Sequence, residues 1–237
     1  AMVADGLMER FGIEEVYGLH NIPGIPVGSF AIRPGGIMAA TDEFPITLQG
    51  TGGHAAIPHK ATDPVVAAAQ LILALQTVVS RNVDPMRSAV LSITMLEAGD
   101  AFNIIPRTVR LTGTVRTLDD EVRVLMEERM RIITTQMAAA FELTAEMAYH
   151  RGYPATVNAA AQTAFAAEVA KSIAGDERVD DKIDGAMNGE DFAYMLQARP
   201  GAYILMGNGD STQLHTDTYD FNEDALPYGV SYWAKLV

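Results

Sequence analysis

The sequence contains no cysteine, so neither a disulfide nor a catalytic thiolate can form within these 237 residues. Basic residues are also few, since 17 Lys and Arg stand against 30 Asp and Glu and give a formal net charge of −13. Proteins that bind the phosphates of nucleic acids need clustered Lys and Arg. Aromatic residues are scarce too, and the strands predicted at 89–95 and 108–116 contain none. A nucleic-acid partner, including RNA bound on an aromatic sheet, is therefore not expected.

Long hydrophobic runs are also missing. No unbroken apolar run approaches the ~18 to 20 residues of a membrane helix, and residues 1–5 lack the basic and apolar regions of a signal peptide. We therefore expect no membrane partner and a cytoplasmic protein. The composition that remains is globular, with 49% hydrophobic and 20% charged residues. The length predicts one or two domains.

The middle of the chain, residues 44–150, carries a pattern typical of one supersecondary motif. Its hydrophobic periodicity predicts a strand, a helix, two strands, a second helix and a last strand. These elements are predicted at 44–49, after Asp63, at 89–95, at 108–116, after Asp119 and at 142–150. The order β-α-β-β-α-β is the ferredoxin-like signature.

The flanking segments, residues 1–43 and 151–237, have a mixed α/β pattern. It predicts a helix before Gly12, a strand at 15–19, helices at 158–174 and 191–196, a strand at 202–206 and a closing helix from Glu223. Neither segment alone has enough strands for a stable layer. We therefore expect the two to pair in space as one α/β domain that the ferredoxin-like module interrupts.

Two of the five histidines have the surroundings of a binding site. His20 follows the strand predicted at 15–19, and His215 follows the strand at 202–206 and a glycine turn. Ligands of open α/β sheets bind beyond the carboxyl ends of strands, and pairing of the flanks would bring these imidazoles together. On these grounds alone, metal ligands and ordinary loop histidines remain equally open. His59 and His150 are interpreted as structural or surface residues.

Other motifs leave alternatives open. Residues 50–55 match G-x-G-x-x-A, but Pro58 intervenes before the helix, which favours a glycine-rich turn over a nucleotide site. A substrate-facing loop that carries His54 is the other interpretation. Asn103 could donate to a substrate oxygen or form an Asx-turn, and Glu190 could begin a short helix or act on a substrate. Because neither G-x-S-x-G nor H-E-x-x-H occurs, any metal site must be assembled from distant loops.

Six segments in order resemble the M20 metallopeptidases, in particular the branch with hippurate hydrolases, N-acyl-amino-acid amidohydrolases and plant auxin-conjugate hydrolases. The segments are spread over the whole chain, which makes the resemblance specific. They are Tyr-Gly-Leu-His-Asn at 17–21, Gly-Gly-His-Ala-Ala-Ile-Pro-His at 52–59, Phe-Asn-Ile-Ile-Pro at 102–106, Gly-Thr-Val-Arg-Thr at 113–117, Gly-Glu-Asp-Phe-Ala-Tyr-Met-Leu at 189–196, and Leu214-His215 through Phe221.

The resemblance implies an α/β, phosphorylase/hydrolase-like catalytic domain at 1–43 and 151–237, interrupted by a ferredoxin-like lid at 44–150 through which homodimers form. It implies a hydrolase with two divalent ions, Zn, Mn, Co or Ni, that cleaves the amide bond of small N-acyl amino acids such as hippurate. Each site residue is carried over from a family motif. The resemblance implies His20 and His215 as metal ligands, His54 as the catalytic residue that polarises the substrate carbonyl, and Asn103 and Arg116 as substrate contacts.

The sequence departs from the family pattern in one large respect. Family members carry a Cys-Gly-His-Asp type segment and a Glu-Glu pair, which supply further ligands and the general base, before the point where this sequence starts. The chain thus resembles the C-terminal two-thirds of such an enzyme, and we expect it to bind metal weakly and hydrolyse little by itself. The alternative is a non-catalytic dimerisation or binding fragment.

Overall fold

The computed structural model describes residues 2–237, and these fall into two compact units. The first, called here the discontinuous unit, is built from segments at both ends of the chain, and the second is called the inserted unit. The discontinuous unit comprises the residues through Met38 together with Ala155–Ala186 and Glu190–Val237, and the inserted unit comprises Ala39–Pro154 with Met187–Gly189.

The secondary structure follows the two units along the chain. The first part of the discontinuous unit contains α1 (Leu7–Arg10), β1 (Val16–Ile22), β2 (Phe30–Ala31) and β3 (Gly35–Met38). The inserted unit contains β4 (Ala40–Gln49), β5 (Gly53–His54), α2 (Pro64–Thr77), β6 (Ala89–Ala98), β7 (Ile104–Ile105), β8 (Thr108–Thr117), α3 (Asp120–Ala140), β9 (Thr144–Met147) and β10 (His150–Arg151). The chain then forms β11 (Thr156–Asn158), α4 (Ala160–Ala174), β12 (Val179–Asp180), α5 (Ala193–Ala198), β13 (Gly201–Gly207) and α6 (Leu226–Leu236).

The discontinuous unit is organised around β13, in a sheet with the order β1-β13-β2-β12. All residues of β13 are buried, and successive side chains alternate between two hydrophobic clusters, as strand geometry requires. Ile204 packs in the cluster that includes α4 and α6, whereas Tyr203 and Leu205 pack on the opposite face. The parallel pair β1·β13 begins at Gly201, where an added Cβ would lie 1.9 Å from the carbonyl oxygen of Val16.

The inserted unit contains an antiparallel sheet in which β4 lies between β8 and the pair β9 and β10, and β6 follows β8 at the far edge. Buried residues alternate along β4 and β8, and their apolar faces share one core with α2 and α3. Both helices begin directly after the aspartates that the sequence indicates, and these aspartates cap them. Asp63 accepts a hydrogen bond from the backbone N–H of Val65 at 2.8 Å, and Asp119 accepts one from Val122 at 2.9 Å.

Several elements differ from the sequence-based expectation. The strand expected at 142–150 is split into β9 and β10, and the break lies opposite Pro45 of β4. Ala148 donates its N–H to the carbonyl of Pro45 at 3.1 Å. Because proline has no backbone N–H, Pro45 cannot donate the second hydrogen bond of this pair, and the strand pairing is interrupted there. In the discontinuous unit, His20 lies within β1 rather than after it.

One helical segment, Pro64–Asn82, is long and apolar enough by length and composition alone to cross a membrane, with 19 residues and a mean hydropathy of 1.4. Gln70 and Gln76 interrupt its apolar residues, so no unbroken run in the sequence has this length. The helix buries Leu71 and Leu75 in the core of the inserted unit. Core helices commonly meet the same criteria of length and hydropathy.

Candidate functional site

His20 is half-buried near the carboxyl end of β1. Its Nδ1 lies 2.5 Å from the backbone carbonyl oxygen of Asn21. Because a carbonyl only accepts hydrogen bonds, Nδ1 must carry the proton, and in the neutral ring Nε2 is left with its lone pair. A histidine whose Nδ1–H donates to a backbone carbonyl is in the form in which imidazole binds metals.

A tyrosine and a glutamate lie beside His20. The ring centroid of Tyr203 is 6.4 Å from that of His20, and the Tyr203 hydroxyl donates to Glu190 Oε2 at 2.6 Å. The other carboxylate oxygen of Glu190 accepts the backbone N–H of Phe192 at 3.1 Å. Burial raises the pKa of the Glu190 carboxyl, but these two hydrogen bonds, helped by Asp191 and His20, outweigh burial and leave the pKa lowered. Burial and the Glu190 carboxylate raise the pKa of Tyr203.

His215 lies on the loop between β13 and α6, whose two ends are held by the buried Asn208. The Asn208 amide donates to Ser211 Oγ at 2.8 Å and to the Asp220 carbonyl at 3.0 Å, and its side-chain oxygen accepts the N–H of Asn222 at 2.9 Å. Within this loop His215 is exposed and has a left-handed backbone, with φ 63°.

The loop of His215 and the strand of His20 meet through a hydrogen bond. The Asn21 amide donates to the hydroxyl of Tyr219, four positions after His215. The structure thus brings the segments that carry the two histidines into contact at Asn21 and Tyr219. Among the described residues 2–237, however, no three His, Cys, Asp or Glu side chains form a cluster able to hold a metal ion. Zinc usually takes three or four protein ligands, which is more than the described residues bring together around His20.

His54 and Asn103 are neighbours in the inserted unit. His54 ends β5, which pairs with β7, and the N–H of Ala55 donates to the carbonyl of Asn103 at 3.1 Å. The N–H of Ala56 donates to Nδ1 of the exposed His54 at 3.0 Å. Nδ1 is therefore the acceptor and the ring proton is on Nε2. His54 thus presents a donor to solvent, whereas His20 keeps a lone pair.

Arg116 lies on β8 of the larger antiparallel sheet, at the end that is remote from the β5·β7 pair. Gln49 of β4 pairs with Thr108, close to the β5·β7 pair, whereas Arg116 pairs with Thr41. Eight residue steps along β8 correspond to ~26 Å at ~3.3 Å per residue. An N-acyl amino acid spans about two residues, or ~7 Å. One such molecule therefore cannot touch both His54 and Arg116 within one inserted unit.

The contacts of Arg116 are hydrogen bonds to uncharged groups. The guanidinium donates to Thr114 Oγ1 and, at 3.1 Å, to the Val115 carbonyl, and within the described chain no carboxylate forms an ion pair with it. It lines a cavity of about 340 Å³ together with His150 and Arg151 and with the acidic Asp42 and Glu43.

Two pairs at the candidate site were not predicted from the sequence: Tyr203 with Glu190, and Asn21 with Tyr219. Glu190 was only an open alternative in a helix-start motif. The strand position of Tyr203 was expected. Its hydrogen-bond partner Glu190 lies on a separate loop, and no pattern in the sequence around Tyr203 indicates that partner. Alternation along β13, with Gly18 opposite Tyr203 on β1, is the one pattern that could have indicated where its ring lies.

The fold and these residues define an α/β protein in which an antiparallel module interrupts a domain that carries histidines at its sheet edge. The chain belongs to peptidase family M20/M25/M40, whose sequence model matches residues 1–237. The resemblance to M20 metallopeptidases is thereby confirmed, together with the mixed α/β fold.

Named relatives support this membership. The chain is 40% identical over 236 residues to a hippurate hydrolase of Campylobacter jejuni, a match that covers 100% of this chain and 62% of that protein. It is 40% identical over 225 residues to an N-acetyl-L-cysteine deacetylase of Bacillus subtilis, with 95% and 53% covered. A dinuclear metal-binding peptidase of the M20 family from Bacillus subtilis superposes with a TM-score of 0.82 at 30% identity, over 99% of this chain and 59% of that one. The chain thus spans less than two thirds of the length of these relatives.

Proposed function

We propose that this chain serves a metal-dependent hydrolase that cleaves the amide bond of small N-acyl amino acids, with hippurate-like compounds as the first substrates to test. The observation that carries the proposal is the opposite hydrogen bonding of two histidines: His20 keeps a lone pair on Nε2, and His54 presents an Nε2–H donor. Amide hydrolysis at a metal needs both a ligand and a donor to the carbonyl oxygen. Two relatives, the hippurate hydrolase and the N-acetyl-L-cysteine deacetylase, are named for this chemistry.

We assign His20 and His215 as two ligands of a site for two divalent ions, Zn, Mn, Co or Ni. When bound, such ions polarise a carbonyl and lower the pKa of a water molecule. The hydrogen bond between Asn21 and Tyr219 supports this assignment, because it ties the two histidine segments together. Since residues 2–237 contain no three-residue cluster, we expect the 237-residue chain alone to bind metal weakly and to hydrolyse little.

The inserted unit supplies the substrate contacts in this proposal. His54 is the catalytic donor to the carbonyl oxygen, with its proton held on Nε2 by the Ala56 N–H. Asn103 is held beside it by the Ala55 hydrogen bond and donates its amide to the substrate. Arg116 binds a carboxylate; its guanidinium, which donates only to uncharged groups, and the neighbouring cavity support this role.

We propose that the inserted unit is a ferredoxin-like lid that pairs two copies of the chain. Its antiparallel strand order β9-β4-β8-β6 with α2 and α3 supports the ferredoxin-like assignment. The separation of His54 and Arg116 supports a homodimer, in which the two ends of one lid serve different substrate molecules. A cytoplasmic location remains our prediction, with α2 as a core helix of the lid because its buried face is shared with that core.

The proposed function is tested with the product of the complete open reading frame that contains this chain. Released amino acid is measured with hippurate and N-acetylcysteine, with and without each of the four metals. We expect metal-dependent release that falls at least ~100-fold in His54→Ala, as on removal of an oxyanion donor. His59→Ala is the matched control, because His59 is also exposed and lies in the adjacent turn Pro58–Lys60. Metal-independent release, or equal loss in both variants, would contradict the proposal.

The ligand assignment is tested on the 237-residue chain by elemental analysis and zinc titration, beside the His20→Ala, His215→Ala double variant. We expect weak binding that disappears in the double variant. Binding that is unchanged in the double variant would overturn the assignment. No metal in either chain, with no turnover by the complete reading frame, would favour the non-catalytic dimerisation fragment.

A further inference from the structure

Tyr203 is held by hydrogen bonds both at its backbone and at its hydroxyl. At the backbone, Asn158 Oδ1 accepts the Tyr203 N–H at 2.7 Å and Asn158 Nδ2 donates to the Tyr203 carbonyl at 2.9 Å. At the far end, the hydroxyl donates to Glu190, whose other oxygen is held by the Phe192 N–H. Tyr203 is thus held at its backbone by Asn158 and at its hydroxyl by the segment 190–192.

The ring lies over a glycine of the neighbouring strand. Tyr203 pairs directly with Gly18, and His20 lies two positions further along β1, on the same face of the sheet. A Cβ added at Gly18 would lie 2.6 Å from Cδ2 and 2.9 Å from Cε2 of Tyr203. Only glycine leaves room for the ring here, and this room lets the ring reach diagonally across the strand pair to His20.

We propose that Tyr203, anchored by Glu190 and lying over Gly18, is a positioning residue that fixes the imidazole plane of His20. The ring centroids are 6.4 Å apart at an interplanar angle of 60°, within the range of aromatic pairs. The tyrosine ring closes one side of the imidazole, while the Asn21 carbonyl holds Nδ1. Together they determine the direction of the Nε2 lone pair. This inference rests on the proposed function only in one respect, namely that the Nε2 lone pair of His20 binds a metal ion.

The test observes His20 directly in the 237-residue chain without metal, by ¹⁵N NMR of the histidine ring. We expect one tautomer with the proton on Nδ1 in the unchanged chain. Tyr203→Leu removes the ring and Gly18→Ala displaces it, so both should give a mixture of tautomers. Tyr203→Phe keeps the ring but loses the Glu190 tether, and should give a smaller change of the same kind.

Tyr17→Phe is the matched control. The Tyr17 hydroxyl also donates to a glutamate, Glu15, at 2.6 Å, and Tyr17 lies on β1, the strand that carries His20. This variant should leave the His20 signals unchanged. Signals identical to the unchanged chain in Tyr203→Leu and Gly18→Ala would overturn the inference. If those two variants do not fold, the Tyr203→Phe variant provides the test. His20 signals in Tyr203→Phe that are identical to those of the unchanged chain would overturn the inference.

A zinc titration followed at His20 Nε2 separates this inference from the proposed function. We expect a zinc-dependent shift that needs ~10-fold or more zinc in Tyr203→Leu, as for loss of a group that orients a ligand. If zinc leaves Nε2 of the unchanged chain unaffected, the ligand assignment fails. The tautomer measurement without metal still decides whether Tyr203 positions His20.

Discussion

The buried ion pair of the inserted unit gives the sharpest test of its energetics. Arg123 of α3 donates to Asp42 of β4 at 2.9 Å from Nε and at 2.5 Å from Nη2. Their side chains are 6% and 1% exposed. The Asp42 carboxylate also accepts the Tyr149 hydroxyl at 2.9 Å and the Gly152 N–H at 3.2 Å. Burial lowers the pKa of Arg123, but the bonds to Asp42 outweigh burial and leave it raised.

Arg123→Met is the perturbation we select. Methionine fills most of the space and removes the charge, so Asp42 is left as a buried anion with two neutral donors. Breaking a buried pair in this way costs roughly 3–5 kcal/mol. The comparison is Arg131→Met, which removes an ion pair to Glu127 from a side chain that is 48% exposed. Such a surface pair contributes about 0–1 kcal/mol.

The assay is urea unfolding followed by far-UV circular dichroism, with hydrogen exchange of the β4 and β8 amides to identify the transition of the inserted unit. At an m-value of about 2 kcal/mol per molar urea, Arg123→Met should lower the midpoint by roughly 2 M. Arg131→Met should lower it by less than about 0.5 M. Equal shifts in the two variants would refute the reasoning, because burial would then make no difference to the energy of the pair.

Two further predictions concern single side chains. The Tyr232 hydroxyl is buried without a hydrogen-bond partner among residues 2–237. Tyr232→Phe should therefore leave the urea midpoint, measured by Trp233 fluorescence, unchanged or raise it. A decrease of more than about 1 kcal/mol in the free energy of unfolding would show that the hydroxyl has a partner. Burial raises the pKa of Glu127, but hydrogen bonds from Arg131 and Arg151 outweigh burial and leave it lowered. Because the Glu127 pKa is lower in the folded state than in the unfolded state, its carboxylate stabilises the fold at pH values above the unfolded-state pKa. This stabilisation is lost as the pH falls through the folded-state pKa. The stability difference between the unchanged chain and Glu127→Gln, measured by urea unfolding from pH 7 to pH 3, should therefore vanish at the acid end, and a constant difference would contradict the assignment.

Local patterns in the sequence determined much of the secondary structure and the family. The helices expected after Asp63 and Asp119 begin there, and each aspartate caps its helix through a backbone N–H only two or three places away. The alternation along β4 and β8 reports which face is buried. The six motifs together were sufficient to identify family membership, because six segments in order rarely coincide by chance.

Only the tertiary structure decided how distant residues meet. The break between β9 and β10 follows from Pro45, which lies on another strand and blocks the ladder there. The tautomers of His20 and His54 depend on which backbone group each Nδ1 reaches, and the sequence does not encode that distance directly. The hydroxyl of Tyr203 finds Glu190 across a loop for the same reason. Sequence periodicity specifies which face of an element is buried, whereas hydrogen-bond partners are set by the path of the whole chain.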